Sequence, residues 1–307
     1  MNNPREVSDD IGRFAWWLIV AMLAAFLLIS SRAPFTVDGA RAIVPLAGIA
    51  ALAGSMWFGR RARHPRLALA SEAFLQMTLF TILGVVLAYA IAAQGGVLWD
   101  DRLAAADRAL GVDWTALRAL LDRLPPLVWL LGLAYHSLVV QMIVAIVALS
   151  QAARGQVLRV MVGAAILSGF VTILASALFP AMGNVFDPTA YRHLWPSVAW
   201  LETGLIAGLR DGSVRVVDLG AMMGIVTFPS FHATLSLIFI WAFGHLPRWA
   251  VPAQCWSALT IVATPVFGGH YAVDVLAGLA LAPPAIIAMR RHARPSREAS
   301  ALVRVPV

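Results

Sequence analysis

Lysine is absent from this sequence of 307 residues, cysteine occurs once, and charged residues make up only 13% of the chain. Soluble domains carry about 25% charged and about 45–50% apolar residues, whereas this chain is 60% hydrophobic with a mean hydropathy of +0.79. The scarcity of charge therefore excludes an ordinary soluble globule. The single cysteine, Cys255, lies in an apolar stretch, so a disulfide framework and a cysteine-based metal site are both excluded.

The basic residues are all arginine, 23 in number, and they give the chain a formal net charge of +7. Such basicity would suggest nucleic-acid binding if the arginines were clustered on a polar domain. Here they lie between apolar runs instead, which is typical of the charges that orient a membrane protein. We therefore expect a membrane protein without a nucleic-acid partner.

Long apolar runs dominate the rest of the sequence. Backbone polar groups cannot face lipid unpaired, so a run of roughly 20 apolar residues predicts a helix that crosses the ~30 Å hydrocarbon core. By this criterion the sequence predicts an all-α transmembrane helical bundle with about eight spans. The predicted spans are residues 14–31, 42–58, 73–93, 127–150, 160–180, 227–245, 250–268 and 270–289.

Arginine-rich loops set the predicted orientation. Four arginines lie in the short loop 59–66, which the positive-inside rule assigns to the cytoplasm. Both termini then become cytoplasmic, including a basic tail at 291–307 that we expect to be disordered. The long loops 94–126 and 181–226 face outwards. The alanine-rich and arginine-rich composition suggests a bacterial inner membrane, in which this outer face is the periplasmic one.

Ionisable side chains inside a membrane are costly, so each one is a functional candidate. His270 and Asp274 are four residues apart at the start of the last predicted span, where one helix face brings the carboxylate to the imidazole. His232 begins the sixth predicted span, at the same outer face. Two histidines and a carboxylate suit phosphoryl transfer without a metal, because one imidazole can attack phosphorus while the other protonates the leaving oxygen.

Further side chains near that face are candidates for substrate binding. Ser230 precedes His232 at the predicted helix start, so it can both cap the helix and donate to a phosphate. His136, halfway along the fourth predicted span, is either a head-group contact or a hydrogen-bonded interior histidine. The arginines of the outer loop 181–226 that could hold an anion, or could simply be solvated, are Arg192, Arg210 and Arg215.

Two stretches of sequence carry a family resemblance. The motif Pro-Ser-Phe-His at 229–232 and the run Gly-His-Tyr-Ala-Val-Asp-Val-Leu-Ala-Gly at 269–278 resemble the second and third motifs of the type 2 phosphatidic acid phosphatase superfamily. The likeness is closest to the inositol phosphorylceramide synthase branch, and it extends over roughly residues 73–289, as a six-helix core. It divides the chain into an N-terminal two-span segment at 1–66, a catalytic core at 67–290 and the tail at 291–307.

The resemblance also implies roles for individual residues. It makes His270 the nucleophile, Asp274 the carboxylate that orients it, and His232 the acid that protonates the leaving group. Ser230 matches a serine that binds phosphate, and we expect Tyr271, next to the nucleophile, to contact the substrate as well.

Departures from the family pattern concern the cations that grip phosphate. The first motif of the phosphatases begins with a lysine, which this chain lacks, and the family's Ser-Arg pair before the nucleophile falls on Ala263 and Thr264. The glycine of the usual Pro-Ser-Gly-His is Phe231. A phosphomonoester dianion needs more compensating charge in a low-dielectric site than a diester monoanion does. The departures therefore favour a diester substrate.

Together these features predict an integral-membrane lipid phosphoesterase or phosphotransferase that acts at the outer face through a phosphohistidine, without a metal or cofactor. Its partners would be a membrane lipid phosphoester and, for head-group transfer, a lipid alcohol acceptor. One alternative is a lipid phosphate phosphatase for phosphatidic acid or a polyprenyl phosphate. A non-enzymatic transporter or flippase is another, and it predicts internal repeats and broken helices. A serine hydrolase based on Ser230 lacks the Gly-x-Ser-x-Gly setting.

Overall fold

The computed structural model describes residues 4–32 and 35–292. The predicted disordered tail lies outside these residues, apart from its first two positions. The twelve helices described are α1 (Pro4–Ser30), α2 (Ile43–Arg61), α3 (Pro65–Ala92), α4 (Asp100–Ala109), α5 (Trp114–Asp122), α6 (Pro125–His136), α7 (Leu138–Gln151), α8 (Gly155–Leu178), α9 (Val198–Asp211), α10 (Phe231–Phe243), α11 (Val251–Ala263) and α12 (Ala272–His292).

The protein is an all-α polytopic membrane protein by the length and composition of its helices. Five of them, α1, α2, α3, α8 and α12, are long and apolar enough to cross a membrane. The fourth predicted span consists of α6 and α7, which meet at an angle of 55°. The helices α10 and α11 have 13 residues each, about 20 Å at 1.5 Å per residue, which is shorter than a full crossing. The predicted number of eight spans is therefore not established.

The bend between α6 and α7 has a polar cause. The carbonyl oxygen of Ala134 accepts hydrogen bonds from Ser137 Oγ at 2.8 Å and from Thr260 Oγ1 of α11 at 2.9 Å. Gln141 of α7 donates to the same Thr260 hydroxyl at 2.9 Å. A carbonyl released from a helix in an apolar medium needs such partners. The network therefore stabilises the bend, and it leaves His136 at the corner.

The centre of the bundle is formed by α3 and α8, which are the most enclosed of the long helices, whereas α2 lies at the edge with little of its surface buried. Close packing joins α10 to this centre. Gly169 of α8 has no side chain where the ring of Phe80 from α3 approaches, and that ring contacts Phe231 at the start of α10, with centroids 5.6 Å apart. A larger residue at 169 would push the start of α10, and His232 with it, away from α8.

The two ends of the bundle differ in their contacts. At one end, Glu72 of α3 accepts a hydrogen bond from Trp16 Nε1 at 3.3 Å and pairs with Arg60 at 3.3 Å. At the other end, the two-residue strands β1 (Thr36–Val37) and β2 (Val216–Val217) form a parallel pair, and Thr36 N donates to Arg215 O at 2.9 Å. The loop after α1 and the loop 181–226 therefore lie on the same side, which agrees with the relative sidedness that the arginines predict.

The long loops contain the short amphipathic helices α4, α5 and α9. The starts of α5 and α9 are capped in the usual way, because Asp113 accepts from Ala116 N at 3.0 Å and Ser197 accepts from Trp200 N at 3.3 Å. The left-handed conformation of Gly212 ends α9. These helices cover the end of the bundle at which α10 and α12 begin.

Candidate active site

His270 lies in a tight connection between α11 and α12. A π-helical turn, Thr264–Gly268, follows α11, and Gly269 then adopts φ of +73°, in the left-handed region that favours glycine. A Cβ atom at 269 would also fall 2.5 Å from Ala199 Cβ. His270 N donates to Pro265 O at 3.1 Å, which closes the turn. The backbone conformation and the close approach of Ala199 therefore both require glycine at position 269. The closed turn fixes the position of the His270 backbone, from which the imidazole projects.

The structure brings His270 and Asp274 together, as their spacing predicts. The distance from His270 Nδ1 to Asp274 Oδ2 is 3.5 Å, and both side chains are buried. The nearer partner of Nδ1 is the carbonyl oxygen of Thr227, at 2.9 Å, which the sequence analysis missed. Because a carbonyl can only accept, Nδ1 must carry the proton of this hydrogen bond. The neutral ring then has its lone pair on Nε2, which is the atom available for attack.

Asp274 has a second task at the start of its own helix. Its Oδ2 atom accepts from Tyr271 N at 2.8 Å, as the third residue of a capping box does. Its Oδ1 atom has no hydrogen-bond partner among the described residues. A fully buried carboxylate 3.5 Å from His270 would stabilise positive charge on that ring.

A second carboxylate, which the sequence analysis missed, holds the first turn of α12. The side chain of Asp107 in α4 is buried and accepts from Ala272 N at 2.8 Å and Val273 N at 3.0 Å. Trp114 Nε1 donates to it at 2.7 Å. The signal that could have found it is the spacing of Leu103 and Asp107, which puts both on the buried face of a short helix.

His232 stands in the first turn of α10, and Ser230 caps that helix as predicted, accepting from Ala233 N at 3.4 Å. Ser230 N also donates to Asp274 O at 3.0 Å, so the starts of α10 and α12 are joined directly. The imidazole of His232 stacks on the ring of Tyr135, with centroids 4.5 Å apart and planes at 12°. The role of Ser230 in binding phosphate stays a prediction, because its side chain is fully buried in the cap.

His232 and His270 line one cavity of about 590 Å³, which we call the histidine cavity. His136 lines it from the corner between α6 and α7, so this residue is at the site rather than isolated in the bundle. The polar end also includes Tyr135 and Glu202. Apolar side chains extend the cavity between the helices, among them Met77, Phe80, Val85, Val139, Met142 and Ile173. A polar end that continues into an apolar trough suits an amphiphilic ligand.

The predicted anion-binding arginines lie elsewhere. Arg210 donates to Gly96 O and lines a smaller cavity of about 240 Å³ together with Arg32. Arg192 and Arg215 are exposed, and neither lines the histidine cavity. A position in the outer loop therefore does not bring these cations to the histidines in the structure, and their role in binding phosphate stays a prediction.

Tyr271 faces away from the histidine cavity. Its hydroxyl donates to Asp100 Oδ1 at 3.2 Å, and it also lies 3.3 Å from Gly183 O. Asp100 in turn accepts from Met182 N at 3.0 Å and Gly183 N at 2.9 Å, so Tyr271 anchors the turn that follows α8. Its predicted contact with substrate remains a prediction.

A buried arginine behind the site, Arg118 of α5, was also missed. It is 6% exposed and donates to Asn184 Oδ1 at 2.6 Å and Asn184 O at 3.0 Å. Asn184 N donates to Gly269 O at 2.7 Å, so this arginine supports the turn that carries His270. Burial lowers the pKa of the Arg118 guanidinium below its ordinary value. In the part of the chain that the structure describes, no group of three His, Cys, Asp or Glu side chains could hold a metal ion.

Comparison with known families gives a match over residues 101–288, more than half of the chain, to a family model described as the PAP2 superfamily. The chain belongs to the PAP2 superfamily. The matched region runs from α4 to α12 and contains His232, His270 and Asp274. No match was found among the curated proteins or the solved structures. Membership of the PAP2 superfamily supports a lipid phosphoesterase of the phosphatase type.

Proposed function

We propose that this protein is an integral-membrane lipid phosphoesterase that forms a phosphohistidine on His270, and that it prefers to transfer the head group of a lipid phosphodiester to a lipid alcohol. The observation that carries this proposal is the pair of histidines at the polar end of one apolar cavity, with the Nδ1 atom of His270 engaged by Thr227 O at 2.9 Å. The proposed activity is that of the inositol phosphorylceramide synthase branch, which the motifs at 229–232 and 269–278 resemble.

The proposed reaction has two steps. In the first, Nε2 of His270 attacks phosphorus, the bond from phosphorus to the lipid oxygen breaks, and the imidazolium of His232 gives its proton to that oxygen. The phosphorylated His270 ring keeps its Nδ1 proton and is positive, so the carboxylate of Asp274 stabilises it. In the second, the acceptor hydroxyl attacks phosphorus and loses its proton to His232, and His270 leaves as a neutral imidazole.

The charge of the histidine cavity supports the preference for a diester. Among the described residues that line it there is no arginine. Bringing a phosphomonoester dianion into such a site would leave more uncompensated charge than bringing in a diester monoanion. Hydrolysis of a lipid phosphate monoester is the second candidate, and superfamily membership favours it.

We place the reaction at the periplasmic face of a bacterial inner membrane, with both termini in the cytoplasm. The position of the histidines supports this placement, because they lie at the end of the bundle where loop 181–226 forms the strand pair with the loop after α1. The four arginines of loop 59–66 are at the opposite end of α3. A transporter would also place polar groups at an outer vestibule, but the polar network around Ser137 and Thr260 accounts for the broken helix without a transport cycle.

The test is turnover of a panel of lipid mono- and diesters by purified protein in EDTA, with and without a lipid alcohol acceptor. We expect diesters to lose their lipid alcohol and to pass the phosphorylated head group to the acceptor. Faster turnover of monoesters with water would favour the phosphatase instead. Binding of lipid without any turnover would contradict the proposed enzymatic function and favour a transporter.

Asp107 offers a test of how α12 is held. We expect Asp107→Asn to lower kcat about 10- to 100-fold, because losing one charged acceptor at Ala272 N and Val273 N allows the first turn of α12 to shift. The matched control is Asp101→Asn, on the exposed face of the same helix, which should keep wild-type kcat. Equal kcat values for the two variants would show that the anchor is not needed.

A further inference from the structure

Glu202 is a buried acid that the reaction above does not use. It lies in the first half of α9, it is 4% exposed, and it lines the histidine cavity with His232 and His270. Its Oε1 atom is fully enclosed and has no hydrogen-bond partner among the described residues. Buried carboxyl groups are normally paired, so an unpaired one on the wall of a cavity indicates a partner that arrives with the ligand.

The groups around Glu202 indicate which chemical group of a ligand it would bind. The tyrosines Tyr89 and Tyr135 are close enough to interact with its charge, and no cation among the residues that the structure describes offsets its burial. Burial raises the pKa of the Glu202 carboxyl to about 8, so the group is mostly protonated at neutral pH. A protonated carboxyl both donates and accepts a hydrogen bond, and an alcohol hydroxyl does the same. An ammonium group would instead require the ionised carboxylate.

We propose that Glu202 binds an alcohol hydroxyl of the substrate or acceptor, so that its side of the histidine cavity is the subsite for a hydroxyl-bearing group. This inference rests on the proposed function, since it assigns specificity to the same site. The hydroxyl has two possible sources, a hydroxylated head group on the donor lipid or the lipid alcohol that accepts the head group. Both place a hydroxyl within the cavity that contains the nucleophile, and neither requires Glu202 to transfer a proton.

The first experiment compares wild type with Glu202→Gln and Glu202→Leu. Glutamine keeps a donor and an acceptor, so we expect KM values within about threefold of wild type, whereas leucine removes both and should raise KM at least about tenfold. One arm compares donor diesters whose head groups have or lack hydroxyls, and the other varies the lipid alcohol at saturating donor. The arm in which KM rises identifies the source of the hydroxyl. The matched control, Asp211→Asn at the exposed end of α9, should leave KM unchanged.

Any of three outcomes of these assays would overturn the proposal. One is an unchanged KM in both arms for a folded Glu202→Leu protein. The others are an equal loss for ligands with and without hydroxyls, and a loss confined to head groups that carry an ammonium ion.

A second readout separates this inference from the proposed function, because it does not need turnover. In the His270→Ala background, the infrared band of the protonated carboxyl is identified by its disappearance in Glu202→Gln. We expect it to shift when a long-chain alcohol or a diester with a hydroxylated head group binds, and not with the O-methyl analogues. If wild type shows no turnover but the band shifts, the proposed enzymatic function is refuted and the hydroxyl subsite at Glu202 is not. If the hydroxylated ligands bind and the band does not shift, the hydroxyl subsite is refuted.

Discussion

His270→Ala should lower head-group release from every lipid that wild type accepts, by about 10⁴-fold or more, because it removes the imidazole that forms the covalent intermediate in the proposed mechanism. The loss should be equally large for substrates with good and poor leaving groups, since bond formation to phosphorus itself is removed. The measurement is single-turnover release of head group by purified protein in EDTA, together with labelling of the protein by a donor that carries radioactive phosphorus.

The control for this variant is His193→Ala. His193 is an exposed histidine of the outer loop 181–226, and its backbone N donates to Asp122 Oδ1 at 2.6 Å. We expect this protein to be labelled and to turn over lipid like wild type. Labelling that persists in His270→Ala would mean that another residue is the nucleophile, and the proposed mechanism would then be wrong.

The pairing of His270 with Asp274 could be predicted because a spacing of four residues brings two side chains together on a helix face. His270 itself lies two residues before α12 begins, and the turn still places its Nδ1 atom 3.5 Å from Asp274 Oδ2. The hydrogen bond from His270 to Thr227 could not be predicted in this way. Thr227 contributes a backbone carbonyl from 43 residues earlier, and any residue type has one there. The same holds for Asp107, which lies 165 residues before Ala272 and resembles the other acids of its loop until the fold buries it.

The span pattern was predictable in position but not in length. Apolar composition located α3, α8 and α12, which are strongly apolar over most of their length. It could not show that α10 has only 13 residues, because the residues before it are also largely apolar, or that α11 passes into the π-helical turn 264–268. It also missed the bend at Ser137, since isolated polar residues in an apolar run become significant only when another helix supplies their partners.

The arginines illustrate a further limit. Orientation rules assign a whole loop to one side of the membrane, but they do not say which way a side chain turns. Arg210 is turned toward Gly96 and Arg215 pairs through its backbone, while the buried arginine near the His270 turn is Arg118, from the other outer loop. In the sequence, Glu202 likewise resembles the other acids of the outer loops, and only its burial in the structure distinguishes it.

The second large effect is expected at Gly278, where α12 crosses the start of α10. A Cβ atom at this position would fall well inside van der Waals contact with the carbonyl oxygen of Ser230, and it would lie 3.1 Å from Thr234 Oγ1. Because the obstacle is backbone, it cannot rotate away, and the two helices must separate. Gly278→Ala should therefore destabilise the protein by about 2–3 kcal/mol and lower its thermal midpoint in detergent.

Activity should fall together with stability in this variant. The hydrogen bonds lost on separation are Thr234 Oγ1 to Gly278 O, at 2.8 Å, and Ser230 N to Asp274 O, at 3.0 Å. The second of these ties the helix that carries Asp274 to the turn that precedes His232, so kcat should drop even at temperatures where the protein remains folded.

The control for Gly278→Ala is Gly204→Ala in α9, where nothing lies within 4 Å of the added atom. Alanine favours helix over glycine by roughly 1 kcal/mol, so this second variant should be as stable as wild type or more so, with unchanged kcat. The same chemical change would thus have opposite effects at two helical positions. If the thermal midpoint of Gly278→Ala equals that of wild type, α10 and α12 do not approach this closely. The hydrogen bond from Ser230 N to Asp274 O, which depends on that approach, would then be contradicted as well.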